Sequence, residues 1–250
     1  MAATAMTGPR LDIAIDGKRF DFLPEPLLER FDLVVEPSSV VALVGPSGVG
    51  KSTLLRMVGG IDTLFSGTVS VDGVAAAAAP PAGFVFQDAR LLPWLTALDN
   101  IRAVRPQTTE QDAAEMLRRV GLAGFEHYFP HELSGGMQRR VALARAFSVN
   151  PRLLLLDEPF VSLDRTLVQE MEQVLFALIA ASRPTVLLVT HLPEDAAMLA
   201  DRAIVLSGRP ARIAADYRFE TPRGERSRTE REAIANRIAA SVGAREPAQP

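Results

Sequence analysis

The sequence predicts an α/β protein with a parallel core sheet, and three observations support this prediction. The runs 40–44, 153–156 and 186–189 are continuously apolar, which is typical of parallel strands that are buried on both faces. The first run is followed by residues 53–58, whose apolar side chains recur at helical spacing. Residues 11–35 begin with alternating apolar and polar side chains, and this alternation predicts an antiparallel lead-in sheet.

Two further strands are expected after the first helix. Residues 67–71 and 83–86 have the composition of short strands and are predicted to form a pair. The segment that joins them, residues 74–81, is mostly alanine. Because this composition is of low complexity, we expect a solvent-exposed loop there.

The middle of the chain predicts helices instead of strands. Residues 91–122 have helical periodicity, and one helix in this stretch begins at Thr108 or Thr109. Beyond Asp216 the chain is polar and charged until a final predicted helix over 229–242. The expected organisation is a main domain over 1–215 that contains a small helical subdomain at about 88–147, followed by a polar tail over 216–250.

The bulk properties exclude several classes of protein. With 250 residues and 48% hydrophobic content, the chain can bury a sizeable core. Its net charge of −3 gives no electrostatic reason to expect nucleic-acid binding. No apolar stretch reaches the length of a transmembrane helix, and residues 1–9 lack the pattern of a secretion signal. The absence of cysteine excludes disulfides and thiolate metal sites, and it fits a reducing compartment.

The most specific feature of the sequence is the glycine-rich stretch that follows residues 40–44. It matches the pattern G-x-x-x-x-G-K-[ST], and its residues are Gly45, Pro46, Ser47, Gly48, Val49, Gly50, Lys51, Ser52 and Thr53. In a turn from strand to helix, the backbone N–H groups of such a stretch surround phosphate oxygens. Lys51 adds a positive charge for the outer phosphates, and the Ser52 hydroxyl is a ligand for Mg²⁺. The stretch predicts nucleoside triphosphate binding, and its flanks disfavour a chance glycine turn.

Two adjacent carboxylates supply a further Mg²⁺ ligand and a candidate base, groups that the glycine-rich stretch lacks. Asp157 and Glu158 directly follow the buried strand 153–156, at the strand end that faces ligands in doubly wound sheets. Asp157 is suited to hold Mg²⁺, and Glu158 can polarise a water molecule for attack on the γ-phosphorus. A solvated turn is the alternative interpretation of this pair, but it does not explain the complete phosphate motif nearby in the sheet.

Three other sets of polar residues are weaker signals when each is taken alone. Ser134, Gly135 and Gly136 begin an amphipathic helix, and their backbone N–H groups form a second candidate anion site. Gln87 and His191 each follow a predicted strand. A single Gln or His at a strand end is more often a satisfied polar residue than a catalytic one. The order of these residues along the chain is therefore the informative observation.

In that order, the motifs resemble those of the ATP-binding cassette (ABC) ATPases over residues 11–206. Residues 133–138 match the signature motif of this family, which other proteins with the same phosphate motif lack. The resemblance implies that Gln87 contacts Mg²⁺ and the lytic water, that Glu158 is the catalytic base and that His191 contacts the γ-phosphate.

The resemblance also implies ATP and Mg²⁺ as cofactors and a head-to-tail dimer of cassettes. ATP at Lys51 of one copy would be covered by residues 134–136 of the other, and residues 162–164, with Asp164, would form the D-loop. The family places an aromatic ring against the adenine. Phe20 and Phe22 both qualify for this role, and their spacing does not choose between them.

One segment points to a group within the family. Residues 87–101, and above all Leu-Leu-Pro-Trp at 91–94, are similar to the corresponding part of nitrate, sulfonate and taurine importer ATPases. This similarity implies a separate membrane permease, an extracytoplasmic solute-binding protein and a peripheral position at the cytoplasmic face of the cell membrane. Trp94 could instead pack inside the helical insert. The ATPase of an exporter or lipid-transport system is the alternative function, and a non-transport ABC ATPase fits one set of motifs in 250 residues less well.

Overall fold

The computed structural model describes residues 7–161, 163 and 165–243, which belong to two compact units. The middle unit contains residues 82–183, and the flanking unit contains residues 7–81 together with those from 184 onward. No described helix is long and apolar enough to cross a membrane. The domain boundaries expected from the sequence remain predictions.

Each described strand lies within a single unit, either the middle one or the flanking one. In chain order they are β1 (Leu11–Lys18), β2 (Leu28–Val35), β3 (Val40–Val44), β4 (Ser66–Val71), β5 (Val74–Ala75), β6 (Gly83–Val85), β7 (Leu153–Asp157), β8 (Thr185–Thr190), β9 (Arg202–Ser207) and β10 (Arg212–Arg218).

The described helices vary widely in length. They are α1 (Lys51–Val58), α2 (Ala97–Arg102), α3 (Glu110–Arg119), α4 (Gly135–Ser148), α5 (Arg165–Ser182), α6 (Pro193–Leu199) and α7 (Arg228–Gly243). Thr109 is the N-cap of α3, and its side chain accepts a hydrogen bond from the Asp112 N–H. Thr109 is therefore the one of the two predicted threonines that begins the helix.

The flanking unit contains the antiparallel lead-in sheet that the alternation predicts. Its strand order is β2-β1-β4-β5. Ile13 lies opposite Leu33 on one side and Val69 on the other, and all three side chains are buried. These cross-strand apolar contacts fix the register of the sheet, because a shift by one residue would expose the whole set.

The same unit holds three adjacent parallel strands. β3 pairs with β8 on one side and with β9 on the other, while β10 is antiparallel to β9. Every residue of β3 and β8 is buried, as their continuous apolar sequences predict. Val44 lies opposite Thr190, so the two chain segments that follow β3 and β8 emerge at the same edge of the sheet.

In the middle unit, β6 pairs in parallel with β7, and Val85 lies opposite Leu156. The helices α2, α3 and α4 pack against one another, and α4 also packs against β6 and α5. Ala113, Leu117 and Val141 are buried between these helices. Residues 91–122 thus contain the predicted helical insert, as the two helices α2 and α3.

The predicted pairing of residues 67–71 with 83–86 is wrong. β4 pairs with β1 and β5, whereas β6 pairs with β7 in the other unit. The alternating side chains of β4 fit a half-buried antiparallel sheet, and β6 packs on α4. A Cβ atom added to Gly83 would lie 2.6 Å from the Ala146 carbonyl oxygen of that helix.

The alanine-rich segment is not simply a loop. It contains β5 and a short 3₁₀ turn at Ala76–Ala78. A Cβ atom on Gly60, just after α1, would lie 2.7 Å from the Ala76 carbonyl oxygen. The missing side chain of Gly60 therefore lets the backbone of this segment lie close against the end of α1. Most of the alanine side chains are exposed, as the composition predicts.

The polar tail belongs to the flanking unit. Its helix α7 packs against α6 and β9, with Ile234 and Ile238 buried. The strand β10 had no counterpart in the sequence-based prediction, and its residues 212–218 run across the expected boundary at 215. Arg226 is 5% exposed and donates hydrogen bonds to the carbonyl oxygens of Ala197 and Thr221, which joins the tail to α6.

A buried amide holds the segment between β6 and α2. Asn100 is completely buried, and its Oδ1 accepts a hydrogen bond of 2.8 Å from the Leu92 N–H. Its Nδ2 donates to the carbonyl oxygens of Leu92, Leu95 and Thr96 at 3.0–3.1 Å. This single side chain therefore fixes the path of residues 92–96.

We predict that Asn100→Asp destabilises the protein by about 3 kcal/mol, because a buried carboxylate would face three carbonyl oxygens with no proton to donate. The free energy of unfolding in urea measures the effect. Asn150→Asp changes an exposed asparagine of the same unit and should have little effect. Equal losses in the two variants would show that the Asn100 hydrogen bonds do not hold this segment.

Candidate functional site

The glycine-rich stretch forms the turn between β3 and α1. The backbone φ angles of Gly48 and Gly50 are 79° and 112°, a region that side chains other than glycine rarely adopt. Gly45 has a different constraint, since an added Cβ would lie 2.5 Å from the Leu206 carbonyl oxygen. Pro46 and Ser47 are exposed at the top of the loop. The loop thus has the shape that the motif predicts.

The buried side chain of Lys51 is bonded to the backbone of this loop. Its side chain is 4% exposed, and Nζ donates hydrogen bonds of 2.8 Å to the Gly45 carbonyl oxygen and 3.1 Å to the Pro46 carbonyl oxygen. The first turn of α1 contains Ser52 and Thr53 and no acidic residue. A helix start without acidic side chains leaves its N–H groups and its dipole available to an anion.

His191 lies one residue beyond β8, whose last residue Thr190 is opposite Val44 at the end of β3. The Thr190 hydroxyl donates a hydrogen bond of 2.6 Å to the Asp195 carboxylate and accepts one of 3.0 Å from the Leu192 N–H. The backbone on both sides of His191 is therefore fixed. The structure places this histidine and the glycine-rich loop at the same edge of the parallel sheet.

The two aromatic candidates differ in exposure. Phe22 is 79% exposed, whereas Phe20 is half-buried. Their rings stack with centroids 5.2 Å apart, and the Lys18 ammonium lies 4.7 Å from the centroid of the Phe20 ring. Lys18 is itself buried and paired with Asp62 at 2.7 Å. Phe20 is thus involved in contacts of the fold, while Phe22 presents most of its surface.

Arg209 is a candidate that the sequence analysis missed. It lies in the turn between β9 and β10, and its Nη2 donates a hydrogen bond of 3.0 Å to the Gly48 carbonyl oxygen. This places a second positive charge beside the phosphate loop. No spacing rule connects residue 209 to the glycine-rich motif, so only the folded chain reveals the contact.

In the middle unit, Asp157 ends β7 and Glu158 follows it. Both carboxylates are half-buried, and Pro159 and Phe160 behind them are buried. Glu158 has a φ angle of 48°, a left-handed conformation that is uncommon for a residue with a side chain and that occurs often at functional sites. The chain bends at Glu158, directly after the strand.

Gln87 lies at the same edge of its sheet as these carboxylates. It follows β6 by two residues, and β6 ends beside Leu156. Gln87 is exposed. Next to it, residues 88–91 line a cavity of about 460 Å³ together with the start of α4. The other lining residues are Pro93, Pro130, His131, Gly135, Gln138 and Arg139.

Ser134 is the N-cap of α4, and its hydroxyl accepts a hydrogen bond from the Met137 N–H. The two glycines that follow it have different surroundings. A Cβ atom on Gly136 would lie 2.4 Å from the Leu167 side chain of α5, so a larger residue here would displace that side chain. A Cβ atom on Gly135 would have nothing within 4 Å. Packing inside the chain therefore explains Gly136 but not Gly135.

The structure thus assembles the predicted site residues in two groups. The glycine-rich loop, Phe20, Phe22 and His191 belong to the flanking unit, and Gln87, Ser134, Gly135, Gly136, Asp157 and Glu158 belong to the middle unit. The D-loop residue Asp164 and its neighbour Ser162 lie outside the described residues. The neighbouring carboxyl ends of β3 and β8 bring the loop and His191 together. Those of β6 and β7 bring Gln87 near Asp157 and Glu158.

Comparison with known proteins is consistent with this geometry. Residues 28–161 match the model of the ABC transporter family, which is more than half of the chain. The chain belongs to this family. The cassette is 43% identical over 88% of its length to the aliphatic sulfonates import ATP-binding protein SsuB of Ralstonia nicotianae, and the match covers 76% of that protein.

Other relatives of the cassette are also import ATP-binding proteins. It is 39% identical to an SsuB protein of Xanthomonas axonopodis, over 87% of this chain and 89% of the relative. It is 38% identical to the taurine import ATP-binding protein TauB of Yersinia pestis, over 80% of this chain and 81% of the relative. The resemblance to the sulfonate and taurine group that residues 87–101 suggest is therefore confirmed.

Solved structures confirm the fold class. A dimeric ATP-binding cassette in a post-hydrolysis state, bound to ADP and Pi, superposes with a TM-score of 0.73 and 28% identity. The match covers 86% of this chain and the whole of that cassette. A second dimeric structure of a bacterial ABC transporter cassette gives a TM-score of 0.72. This chain is an ABC ATPase cassette.

We predict that Arg209→Met weakens ATP binding by about 2- to 10-fold, which corresponds to the net value of one hydrogen bond. The dissociation constant for ATP, measured by titration calorimetry, checks this. Arg212→Met removes the same charge from an exposed position three residues away and should leave the constant unchanged. Equal weakening in both variants would attribute the effect to net charge and not to the bond with Gly48.

Proposed function

We propose that this cassette is the ATP-hydrolysing subunit of an importer for a small solute of the nitrate, sulfonate or taurine kind. The observation that carries the proposal is the identity of 38–43% to sulfonate and taurine import ATP-binding proteins, over at least 80% of this chain. The segment at 91–94 supports it, because its Trp94 is 69% exposed and does not pack inside the helical insert.

The proposed chemistry is in-line attack of water on the γ-phosphorus of ATP. Glu158 takes the proton of the attacking water, Gln87 orients that water and His191 donates a hydrogen bond to the γ-phosphate. Lys51 and the N–H groups of the glycine-rich loop hold the phosphates. Bound Mg²⁺ neutralises charge on the phosphates, and its expected ligands Ser52, Gln87 and Asp157 all present the oxygen atoms that this ion prefers.

We assign the adenine contact to Phe22. A ring that is 79% exposed can stack on a base without any rearrangement, whereas Phe20 is already in contact with Lys18 and Phe22. Base stacking on an aromatic ring is worth about 1–3 kcal/mol and does not read base edges. The proposal therefore includes weak discrimination among purine nucleotides.

The active form is proposed to be a head-to-tail dimer. The two solved cassettes that resemble this chain are dimers. Gly135 supports the arrangement, because it is exposed and the space around its missing side chain is open. A phosphate of ATP bound to the second copy would approach the backbone there, at the N-terminus of α4, where the helix dipole favours an anion.

A membrane permease would bind to the middle unit. Trp94 projects from the segment that Asn100 fixes, beside the cavity of about 460 Å³ next to Gln87. Exposed aromatic residues on a rigid segment are common centres of binding energy. Through the permease, the cassette would lie at the cytoplasmic face of the cell membrane, and an extracytoplasmic solute-binding protein would deliver the solute.

Uptake measurements test the proposal directly. In cells from which the gene is deleted, we expect the wild-type chain to restore uptake of labelled alkanesulfonate, taurine or nitrate, and Lys51→Ala to restore none. Trp94→Ala should lose about 2 kcal/mol of binding to the permease and should reduce both permease co-purification and uptake. Val104→Ala, at another exposed apolar residue of the same unit, is the matched control.

Two results would contradict the importer function. The first is normal uptake of all these solutes in the deletion strain. The second is a loss of lipid or drug efflux in that strain, which would favour the exporter alternative.

A trapped dimer tests the role of Gly135. Glu158→Gln should lower turnover by about 10²- to 10⁴-fold, the usual contribution of a general base, and should let an ATP-bound dimer accumulate in size-exclusion chromatography. Adding Gly135→Ala should abolish this dimer without lowering the thermal midpoint, because the new methyl group has room in the isolated chain but blocks the approach of the second copy's nucleotide.

Gly224→Ala provides the control for this experiment, since its Cβ also has nothing within 4 Å. It should leave the trapped dimer intact. A Glu158→Gln, Gly135→Ala protein that still dimerises with ATP would remove Gly135 from the shared site.

A further inference from the structure

One helix of the middle unit is bonded to the loop that carries Gln87. The helix is α4, and the bond is made by Arg145, about three turns beyond Ser134. Its Nη1 donates a hydrogen bond of 2.8 Å to the Arg90 carbonyl oxygen, and its Nη2 donates one of 2.9 Å to the Ala89 carbonyl oxygen. The guanidinium group thus holds two consecutive peptide groups just after Gln87.

This attachment is stronger than an ordinary surface contact. Arg145 is partly buried, and burial lowers the pKa of its guanidinium group, so the two carbonyl oxygens replace part of the water that would otherwise solvate its charge. Hydrogen bonds from a charged donor are roughly twice as strong as neutral ones. The planar fork of arginine directs its N–H groups at both oxygens in a fixed geometry, whereas the ammonium group of lysine is a rotating point charge on a flexible stem.

The loop is also fixed at its other end. The Arg90 guanidinium lies 4.1 Å from the centroid of the Phe86 ring, and that ring stacks on Phe84 of β6 at 4.1 Å. Arg90 has a φ angle of 45°, a left-handed conformation that is uncommon for a residue with a side chain. The residues before and after Gln87 are therefore fixed, while the Gln87 side chain itself remains exposed.

The same helix holds the loop that follows Glu158. Arg139, near the start of α4, donates a hydrogen bond to the Val161 carbonyl oxygen, three residues after Glu158. Burial lowers the pKa of Arg139, an effect that the nearby Asp88 carboxylate opposes. The first turns of α4 are thus joined to the loop after Glu158, and a later turn is joined to the loop of Gln87.

We propose that Arg145 is a positioning residue that makes the Ser134 end of α4 and Gln87 move as one body. The inference rests on the proposed function, in which Ser134 faces the ATP of the second copy and Gln87 acts on the ATP of its own copy. A shift of α4 when the second copy's nucleotide arrives is then passed through Arg145 to Gln87. Each copy adjusts its own catalytic glutamine to the occupancy of the other site.

A double-mutant cycle on the full-length chain tests this inference, because a residue that acts only through Gln87 has no effect once Gln87 is removed. We expect Arg145→Met to lower kcat for ATP about 10- to 100-fold, the usual result of misplacing a catalytic group. Its Kd for a non-hydrolysable ATP analogue should stay within about twofold, because the phosphate loop lies in the other unit. When Arg145→Met is added to Gln87→Ala, kcat should fall by a further factor of less than about two.

Two further variants complete the design. Arg119→Met removes an exposed arginine of the same unit, which pairs with Glu115 on the surface, and it should leave kcat unchanged. Arg145→Lys retains the charge without the planar fork and should cause an intermediate loss of kcat. If Arg145→Met lowers the thermal midpoint below the assay temperature, the same cycle is run with Arg145→Lys.

Equal losses of kcat from Arg145→Met with and without Gln87 would overturn the inference, and so would an equal loss in Arg119→Met. An increase in Kd with kcat unchanged would overturn it as well. If Gln87→Ala alone leaves kcat unchanged, the proposed role of Gln87 fails and the inference fails with it. If Gln87→Ala does lower kcat, and Arg145→Met then lowers it by the same factor as in the wild-type chain, the inference about Arg145 is overturned while the proposed role of Gln87 stands.

Discussion

A buried ammonium group determines the shape of the phosphate loop. Lys51 is 4% exposed, and a buried charge without partners costs several kcal/mol, so the loop must direct carbonyl oxygens toward Nζ. Gly45 and Pro46 provide them. The C=O and N–H of a trans peptide point in opposite directions, so the Pro46 carbonyl that faces Nζ places the Ser47 N–H on the other side of the loop. The Gly45 carbonyl has no such counterpart, because Pro46 carries no N–H. Lys51 thereby holds the first part of the loop in one conformation before any nucleotide binds. Arg209 adds one more bond that holds this conformation, at Gly48.

Much of the fold could be predicted because local sequence determines it. The continuous apolar runs identify β3 and β8, and they also identify β7 in the middle unit. Capping side chains identify the starts of α3 and α4. Strand partners were harder to predict. β6 has only three residues, and its pairing depends on α4 and β7, which lie far along the chain. The alanine-rich segment has no pattern at all, and its structure follows from close packing against Gly60.

In the candidate site, too, residues in short motifs could be predicted, whereas contacts between residues far apart in the chain could not. The motif residues could be found because each motif is short and has a fixed spacing. Sequence alone gives Gly135 and Gly136 the same role as members of an N–H nest. The structure separates them, because an added Cβ would meet the Leu167 side chain at Gly136 and open space at Gly135. Phe20 and Phe22 are likewise equivalent until Lys18, which is held by Asp62, is placed beside the Phe20 ring. Bonds from arginine to distant carbonyl oxygens have no spacing rule, which is why Arg145 and Arg209 were missed.

The attachment of the Gln87 loop through its main chain has a consequence for how the family diversifies. Arg145 bonds to the carbonyl oxygens of residues 89 and 90, and every amino acid supplies such an oxygen. Asn100 holds residues 92–96 through backbone groups in the same way. Apart from Arg90, whose side chain lies on the Phe86 ring, the side chains of this segment can therefore change without loss of these hydrogen bonds. Trp94 is exposed at its tip, where a change of side chain would alter the fit to a permease while Gln87 keeps its position. Under the proposed function, partner choice and catalysis would thus evolve separately on one short segment, because backbone atoms hold the loop while the exposed Trp94 side chain meets the partner.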